Sequence, residues 1–231
     1  MKTIGLLGGM SWESTALYYK QINEEIKKRL GSLHSAKVVI YSVDFDEIEK
    51  LQHSGDWDKT AEILSDAALN IQNASADFLL ICTNTMHKVA PIIQGNISIP
   101  IVHIADATAK ALQKDGGSKV GLLGTAFTME EDFYKQRIID NFGIDVIVPN
   151  KEDIKIIHKI IYEELCLGII KDDSRAEYLR IMDDLKSKGA QGIILGCTEI
   201  CMLIKDEHTN IKLYDTTTIH GIEAVNKALE S

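Results

Sequence analysis

The chain has no surplus of positive charge, no apolar run long enough to span a bilayer and no low-complexity stretch. Its 25 Lys and Arg against 34 Asp and Glu leave a formal net charge of −9. That is the wrong sign for neutralising nucleic-acid phosphates or docking on anionic lipid. The opening Met1-Lys2-Thr3-Ile4-Gly5-Leu6-Leu7-Gly8-Gly9 stops too soon for a signal peptide, so a cytoplasmic protein with no membrane partner is expected. Only four cysteines occur, at 82, 166, 197 and 201. They follow no disulfide framework, and a chain of this size needs none, so free thiols are expected. The turn Gly5-Leu6-Leu7-Gly8-Gly9-Met10-Ser11 lacks both the G-x-G-x-x-G spacing and the Lys-Ser/Thr end of a P-loop, which excludes a nucleotide site of either kind. Cys82, His87 and Cys197 match no zinc-ligand spacing, so no metal is expected.

What is present is a near-repetition. Gly5-Leu6-Leu7-Gly8 recurs as Gly121-Leu122-Leu123-Gly124, an offset of 116 residues. Ala76-Asp77-Phe78-Leu79-Leu80-Ile81 recurs as Ala190-Gln191-Gly192-Ile193-Ile194-Leu195, an offset of 114. The shared order points to a duplicated half, although parallel α/β units resemble one another in this way without common descent. Strands are expected at 3–7, 37–43, 77–82, 100–104, 118–123, 144–148, 191–196 and 211–214. Helices are expected at 12–30, 57–74, 85–94, 106–114, 128–142, 151–167, 172–188, 199–206 and 217–229, with Thr128 and Glu131 forming a capping box. Strands alternating with helices of this size mean parallel βαβ units. The expected fold is α/β: two pseudo-symmetric doubly wound lobes, each with a four-stranded parallel sheet flanked by helices. Residues 1–99 plus 208–231 would form the first lobe and 100–207 the second, with the last helix packed on the first lobe and the active site in the cleft between them.

Two segments at matching places carry candidate chemistry: Cys82-Thr83-Asn84-Thr85-Met86-His87 and Gly196-Cys197-Thr198-Glu199. Each follows a buried apolar run and precedes an amphipathic stretch, and ligand crevices in open parallel sheets lie at such strand ends. A hydroxyl or thiol from each half suits a reaction with two opposed proton carriers. Cys197, just ahead of a helix, is expected to have its thiol pKa lowered by the helix dipole. Cys166 and Cys201 are expected in the core, as most lone cysteines are. Successive strand residues face opposite ways, so Cys82 and Thr83 cannot both face a pocket. Offset 114 sets Thr83 against Cys197; matching the Cys-Thr pairs directly would need 115. Thr83 is preferred and Cys82 stays open. The glycine turn either needs φ > 0 or presents N–H groups to a carboxylate, and the two readings are compatible.

Gly-Leu-Leu-Gly-Gly-Met at 5–10, Met-Ser-Trp-Glu-Ser at 10–14, Asn84-Thr85-x-His87, His-Ile-Ala-Asp-Ala-Thr at 103–108 and Gly196-Cys197-Thr198-Glu199 together resemble the aspartate/glutamate racemase family. The resemblance spans nearly the whole chain. It implies an amino-acid racemase that works without pyridoxal phosphate or other cofactor, a small-molecule amino acid as partner, and a homodimer. It also implies catalytic roles for Thr83 and Cys197, with Met10, Gln52, Asn84, Thr85 and Thr198 binding substrate. His87 and Glu199 would support these groups or occupy ordinary structural places. His220 is expected to be a surface or satisfied histidine.

The chain departs from the family's pattern at three places. Thr83 stands where a cysteine is common, and a hydroxyl is far harder to ionise than a thiol. Exchange should therefore run faster from the L-enantiomer, the face the second cysteine serves in the family. Cys166 stands in Ile161-Tyr162-Glu163-Glu164-Leu165-Cys166-Leu167-Gly168 where the family's pattern has a lysine, and Gln52 is the nearest match to an arginine. Losing two cations leaves amino acids other than aspartate open. Competing readings are a related isomerase or decarboxylase of small carboxylates, a hydantoin-type racemase, a cysteine hydrolase pairing Cys197 with His87, and a catalytically weakened binding protein.

Overall fold

The computed structural model describes residues 1–230. Its strands are β1 (Ile4–Gly8), β2 (Val38–Ser42), β3 (Phe78–Ile81), β4 (Lys119–Gly124), β5 (Asp145–Ile147), β6 (Gly192–Gly196) and β7 (Lys212–Asp215). The α-helices are α1 (Trp12–Leu30), α2 (Phe45–Ser54), α3 (Trp57–Asn73), α4 (Ala90–Asn96), α5 (Ile104–Lys114), α6 (Ala126–Glu130), α7 (Asp132–Phe142), α8 (Lys151–Glu163), α9 (Asp172–Ser187), α10 (Ile200–Leu203) and α11 (Thr216–Leu229). The chain divides into two units, Met1–Ile104 with the stretch from His220, and Ala105–Ile219.

In the first unit the parallel strands run in the order β2-β1-β3. The period-2 alternation of β1 and β3 splits their side chains between two apolar layers. Ile4, Leu6, Phe78 and Leu80 pack with Tyr18, Ile22 and Ile26 of α1 and Ala224, Val225 and Ala228 of α11. Leu7, Leu79 and Ile81 pack on the other face with Ile48 of α2, Leu64, Ala68 and Ile71 of α3, and Ile93 of α4. Each such fully buried aliphatic side chain contributes roughly 1.5–3 kcal/mol.

The fourth strand expected at 100–104 is reduced to a single bridge, Ile101 beside Leu79. Leu79 N–H donates to Pro100 O at 3.0 Å and Val102 N–H to Leu79 O at 2.9 Å, but α5 begins at Ile104 and stops the pairing. The outward N–H of Ile101 donates to Gln94 Oε1 at 2.8 Å, which closes that edge. The first sheet thus has three strands, not four.

The second unit holds a four-stranded parallel sheet, β5-β4-β6-β7. Because β7 pairs with β6 from Gly192↔Lys212 to Leu195↔Asp215, residues 208–219 stay with this unit rather than joining the first. The boundary expected at 208 falls after Ile219, and only the part of α11 from His220 onwards packs into the first unit. The two sheets also share a register. Gly5 pairs with Leu79 in the first and Gly121 with Ile193 in the second, reproducing offsets of 116 and 114. Continued past the strand ends, Cys82 matches Gly196 and Thr83 matches Cys197.

Helical expectations change at several places: the helix expected at 85–94 is a 3₁₀ turn until α4 starts at Ala90, and that expected at 151–167 ends at Glu163. α2 lies where none was expected, capped by Asp44 and ended by Gly55 in the left-handed region. The helix expected over 128–142 opens earlier, at Thr125, whose side chain accepts from Thr128 N–H, and breaks at Glu131, an extended residue between α6 and α7. The stretch expected at 199–206 holds only the single turn α10.

Candidate active-site residues in each unit

In the first unit the chain after β1 turns on glycines. A Cβ on Gly8 would meet the Thr15 side chain at 2.3 Å, and Gly9, at φ +93°, would meet Val43 O at 2.2 Å. The turn therefore requires glycine for steric reasons. Gly9 N–H donates to Thr15 Oγ1 at 2.8 Å, so that donor is already engaged. The Met10 side chain is buried in the apolar layer beneath α3. Gln52, at the last turn of α2, is also buried.

After β3 the two adjacent candidates separate. Cys82 is fully buried among Ile4, Leu6 and Tyr18, and burial pushes its thiol far up, as expected of a neutral core side chain. Thr83 is half-buried. Among the described residues its hydroxyl has no hydrogen-bond partner, while its carbonyl accepts from His87 Nδ1 at 2.8 Å. Asn84 and Thr85 follow, both buried, leading into a 3₁₀ turn over Thr85–Val89. The other His87 nitrogen, Nε2, accepts from Ile104 N–H at 3.2 Å. Burial, then the neighbouring His103 and His220, hold His87 well below its ordinary pKa. A neutral imidazole with both nitrogens engaged has no free site to act as a base, which removes the basis for a Cys197–His87 hydrolase. His220 is buried and satisfied too, bonding Tyr18 OH at 2.8 Å and Val102 O at 2.7 Å.

In the second unit β6 delivers Cys197, Thr198 and Glu199, all half-buried, ahead of α10. Cys197 Sγ donates to Glu199 Oε2 at 2.9 Å. Burial first, then the Glu199 carboxylate, raises the Cys197 thiol well above its ordinary pKa. This reverses the expected lowering by the helix dipole: a one-turn helix has little dipole, and the nearest charge is negative. The resting side chain is a neutral thiol. Cys166 is exposed, not core, and close enough for its charge to add to the rise at Cys197. It opens an apolar exposed run with Leu167, Ile169 and Ile170. Cys201 is half-buried and bonds Asp215. Tyr178, buried beneath Cys197 and feeling both thiols, was not foreseen; at i+4 from Ser174 and i−3 from Ile181 it reads in sequence as ordinary helix core. Among the described residues no three His, Cys, Asp or Glu side chains are placed to hold a metal ion. Among the described residues no helix is long and apolar enough to cross a membrane.

Repeated parallel α/β units, each presenting a polar or thiol side chain just beyond a buried strand, define a class of two-unit α/β enzymes. The family model described as Asp/Glu/Hydantoin racemase matches residues 7–224, and the chain belongs to that family. It is therefore an isomerase of the racemase type. A protein from Yersinia pestis, solved as a candidate Asp/Glu racemase, is 50% identical with a TM-score of 0.94, each chain covered in full. The aspartate racemase homologue PH1733 from Pyrococcus horikoshii OT3 is 35% identical at a TM-score of 0.85, again with full coverage of both. The broad specificity amino-acid racemase RacX of Bacillus subtilis (strain 168) is 23% identical over 227 residues, 93% of this chain and 92% of RacX.

Proposed function

We propose that the chain is a cofactor-independent amino-acid racemase that moves the Cα proton of aspartate- or glutamate-type substrates with two carriers, Cys197 and Thr83. The observation that supports the reading is their equivalent register: continuing the paired strands of each unit brings Thr83 and Cys197 to the same position. The Cα proton is weakly acidic, so one group must take it from one face while another supplies a proton to the opposite face. Glu199 accepts the Cys197 proton through the hydrogen bond already formed. The thiolate then takes the Cα proton, the C–H pair remaining on carbon as the carbanion while the S–H bond re-forms. Thr83 O–H protonates the other face and recovers its proton from water, and Glu199 returns its proton to the hydroxide so formed, which restores every group. Asn84, Thr85, Thr198 and the turn at Met10 hold the substrate carboxylate, where the developing enolate charge falls. Gln52 contacts the side chain, and His87 supports Thr83. A threonine hydroxyl gives a proton far more readily than it takes one, so exchange from L-substrates is faster.

A second substrate class has its own support. Cys166 and the exposed Leu167, Ile169 and Ile170 stand near Cys197, a surface suited to neutral side chains rather than a second carboxylate. The resemblance also leads to a homodimer, which light scattering on purified protein tests.

The deciding experiment incubates the protein without added cofactor in D2O with L- and D-aspartate, L- and D-glutamate, and neutral L-amino acids. Proton NMR follows the Cα signal and chiral chromatography the enantiomers. Exchange from the acidic L-substrates is the expected result. Exchange only from neutral ones selects the second substrate class, and none from any overturns the racemase reading.

A further inference from the structure

Three histidines of the first unit gather beyond β3. The His87 and His103 ring centroids lie 4.5 Å apart, those of His87 and His220 5.9 Å, and Tyr18 meets His220 edge-on at 5.6 Å. The hydrogen bonds fix two of the tautomers. A carbonyl only accepts and a backbone N–H only donates, so His87 carries its proton on Nδ1, given to Thr83 O, and receives Ile104 N–H on Nε2. By the same argument His220 donates Nε2–H to Val102 O and accepts the Tyr18 hydroxyl proton on Nδ1. The chain leaves the first unit after Ile104 and returns at His220. Each crossing is thus tied by an imidazole, and the first of these also grips the backbone of the residue assigned above as a proton carrier.

Resting on the racemase reading, we propose that His87 is a positioning residue, which fixes the Thr83 backbone against the Val102–Ile104 segment and so aims the Thr83 hydroxyl at one face of the substrate. Threonine is β-branched and stiff at χ1. Among the described residues its hydroxyl has no partner to steer it, so the direction of that O–H follows from where the backbone is held. Misplacing a reacting group by about 1 Å costs on the order of 100-fold in rate.

Two observables separate this role from a merely structural one. With an L-substrate in D2O, Cys197 can return deuterium to the face it deprotonated, giving washout with retention, whereas inversion needs Thr83. The ratio of inversion to washout therefore reads Thr83 placement and is indifferent to the amount of folded enzyme. His87→Leu removes both hydrogen bonds and should lower the ratio by about tenfold or more, with washout largely kept. His87→Gln retains a donor and an acceptor at similar reach and should restore most of the ratio. If the leucine variant does not fold, the glutamine variant is read against His87→Asn, whose side chain is too short to hold both partners and should show the lowered ratio. An unchanged ratio in folded variants, or inversion and washout falling in step, overturns the positioning role. A wild-type protein that exchanges no Cα proton from any amino acid overturns the racemase reading itself.

Discussion

The ends of β3 and β6 occupy the same register but have been given opposite chemistry. Past β3 the thiol of Cys82 turns into the core, and the half-buried step is Thr83, whose hydroxyl has no partner among the described residues and whose carbonyl is tied to a neutral imidazole. Past β6 the step equivalent to Cys82 is Gly196, where a Cβ would lie 2.9 Å from Leu123 O. The thiol there stands at Cys197, bonded to a carboxylate. One unit holds a hydroxyl on a backbone tied to an imidazole. The other holds a group whose protonation is governed by a charged neighbour. Equivalent topology fixes where a side chain stands; its immediate partners decide whether it gives or takes a proton.

Removing the thiol from the second unit should break the comparison most sharply: Cys197→Ala is expected to lower exchange by about 10³-fold or more, measured as loss of the Cα proton signal, with Cys197→Ser close behind. The next effect concerns stability. Burial holds His220 down at about 4 against an ordinary 6.5, and His87 is lowered as well. The unfolded chain binds these protons near the ordinary value and the folded chain does not, so stability is complete above about 6.5 and falls as pH drops towards 4. For His220 the loss approaches roughly 3 kcal/mol. Hydrogen exchange should show amides of the first unit losing protection before those of the second; simultaneous loss would count against this account.

Giving the first unit a thiol sharpens the comparison from the other side. Thr83→Cys should speed exchange from the D-enantiomer by about tenfold, and no gain would move the carrier away from position 83. Burial and then the Glu199 charge raise Cys197, so Glu199→Gln should let the thiolate appear at lower pH in an ultraviolet thiol titration. In the wild type the exchange rate should climb with pH above neutrality for the same reason. The smallest effect belongs to Cys82→Ala, which should cost about 1 kcal/mol of stability through a small cavity while leaving exchange nearly unchanged. Collapse of activity in a folded Cys82 variant would overturn the assignment of Thr83.

Much of this was legible in the sequence because β1, β3, β4 and β6 are continuous apolar runs buried on both faces. The offsets between the repeated segments likewise survive as strand register. What could not be read depends on single side chains. α2 escaped because it buries only Ile48 and Gln52 along a charged helix, too narrow a stripe to show the helical period. The fourth strand of the first unit failed because α5 starts at Ile104, a boundary set by the His87 bond from another segment. Cys166 looked like core by its apolar neighbours, yet Leu167, Ile169 and Ile170 are themselves exposed. The state of Cys197 turned on the direction of the Glu199 carboxylate, which no spacing rule encodes.

The return of α11 to the first unit bears on how the chain is made. Ala105–Ile219 is one uninterrupted segment, complete once Ile219 has left the ribosome. The first unit is not: the face of β1 and β3 under Tyr18, Ile22 and Ile26 awaits Ala224, Val225 and Ala228. The half begun first during synthesis is thus the half finished last, and a nascent chain stalled just after Ile219 would hold a completed second unit while the first still had an uncovered apolar face.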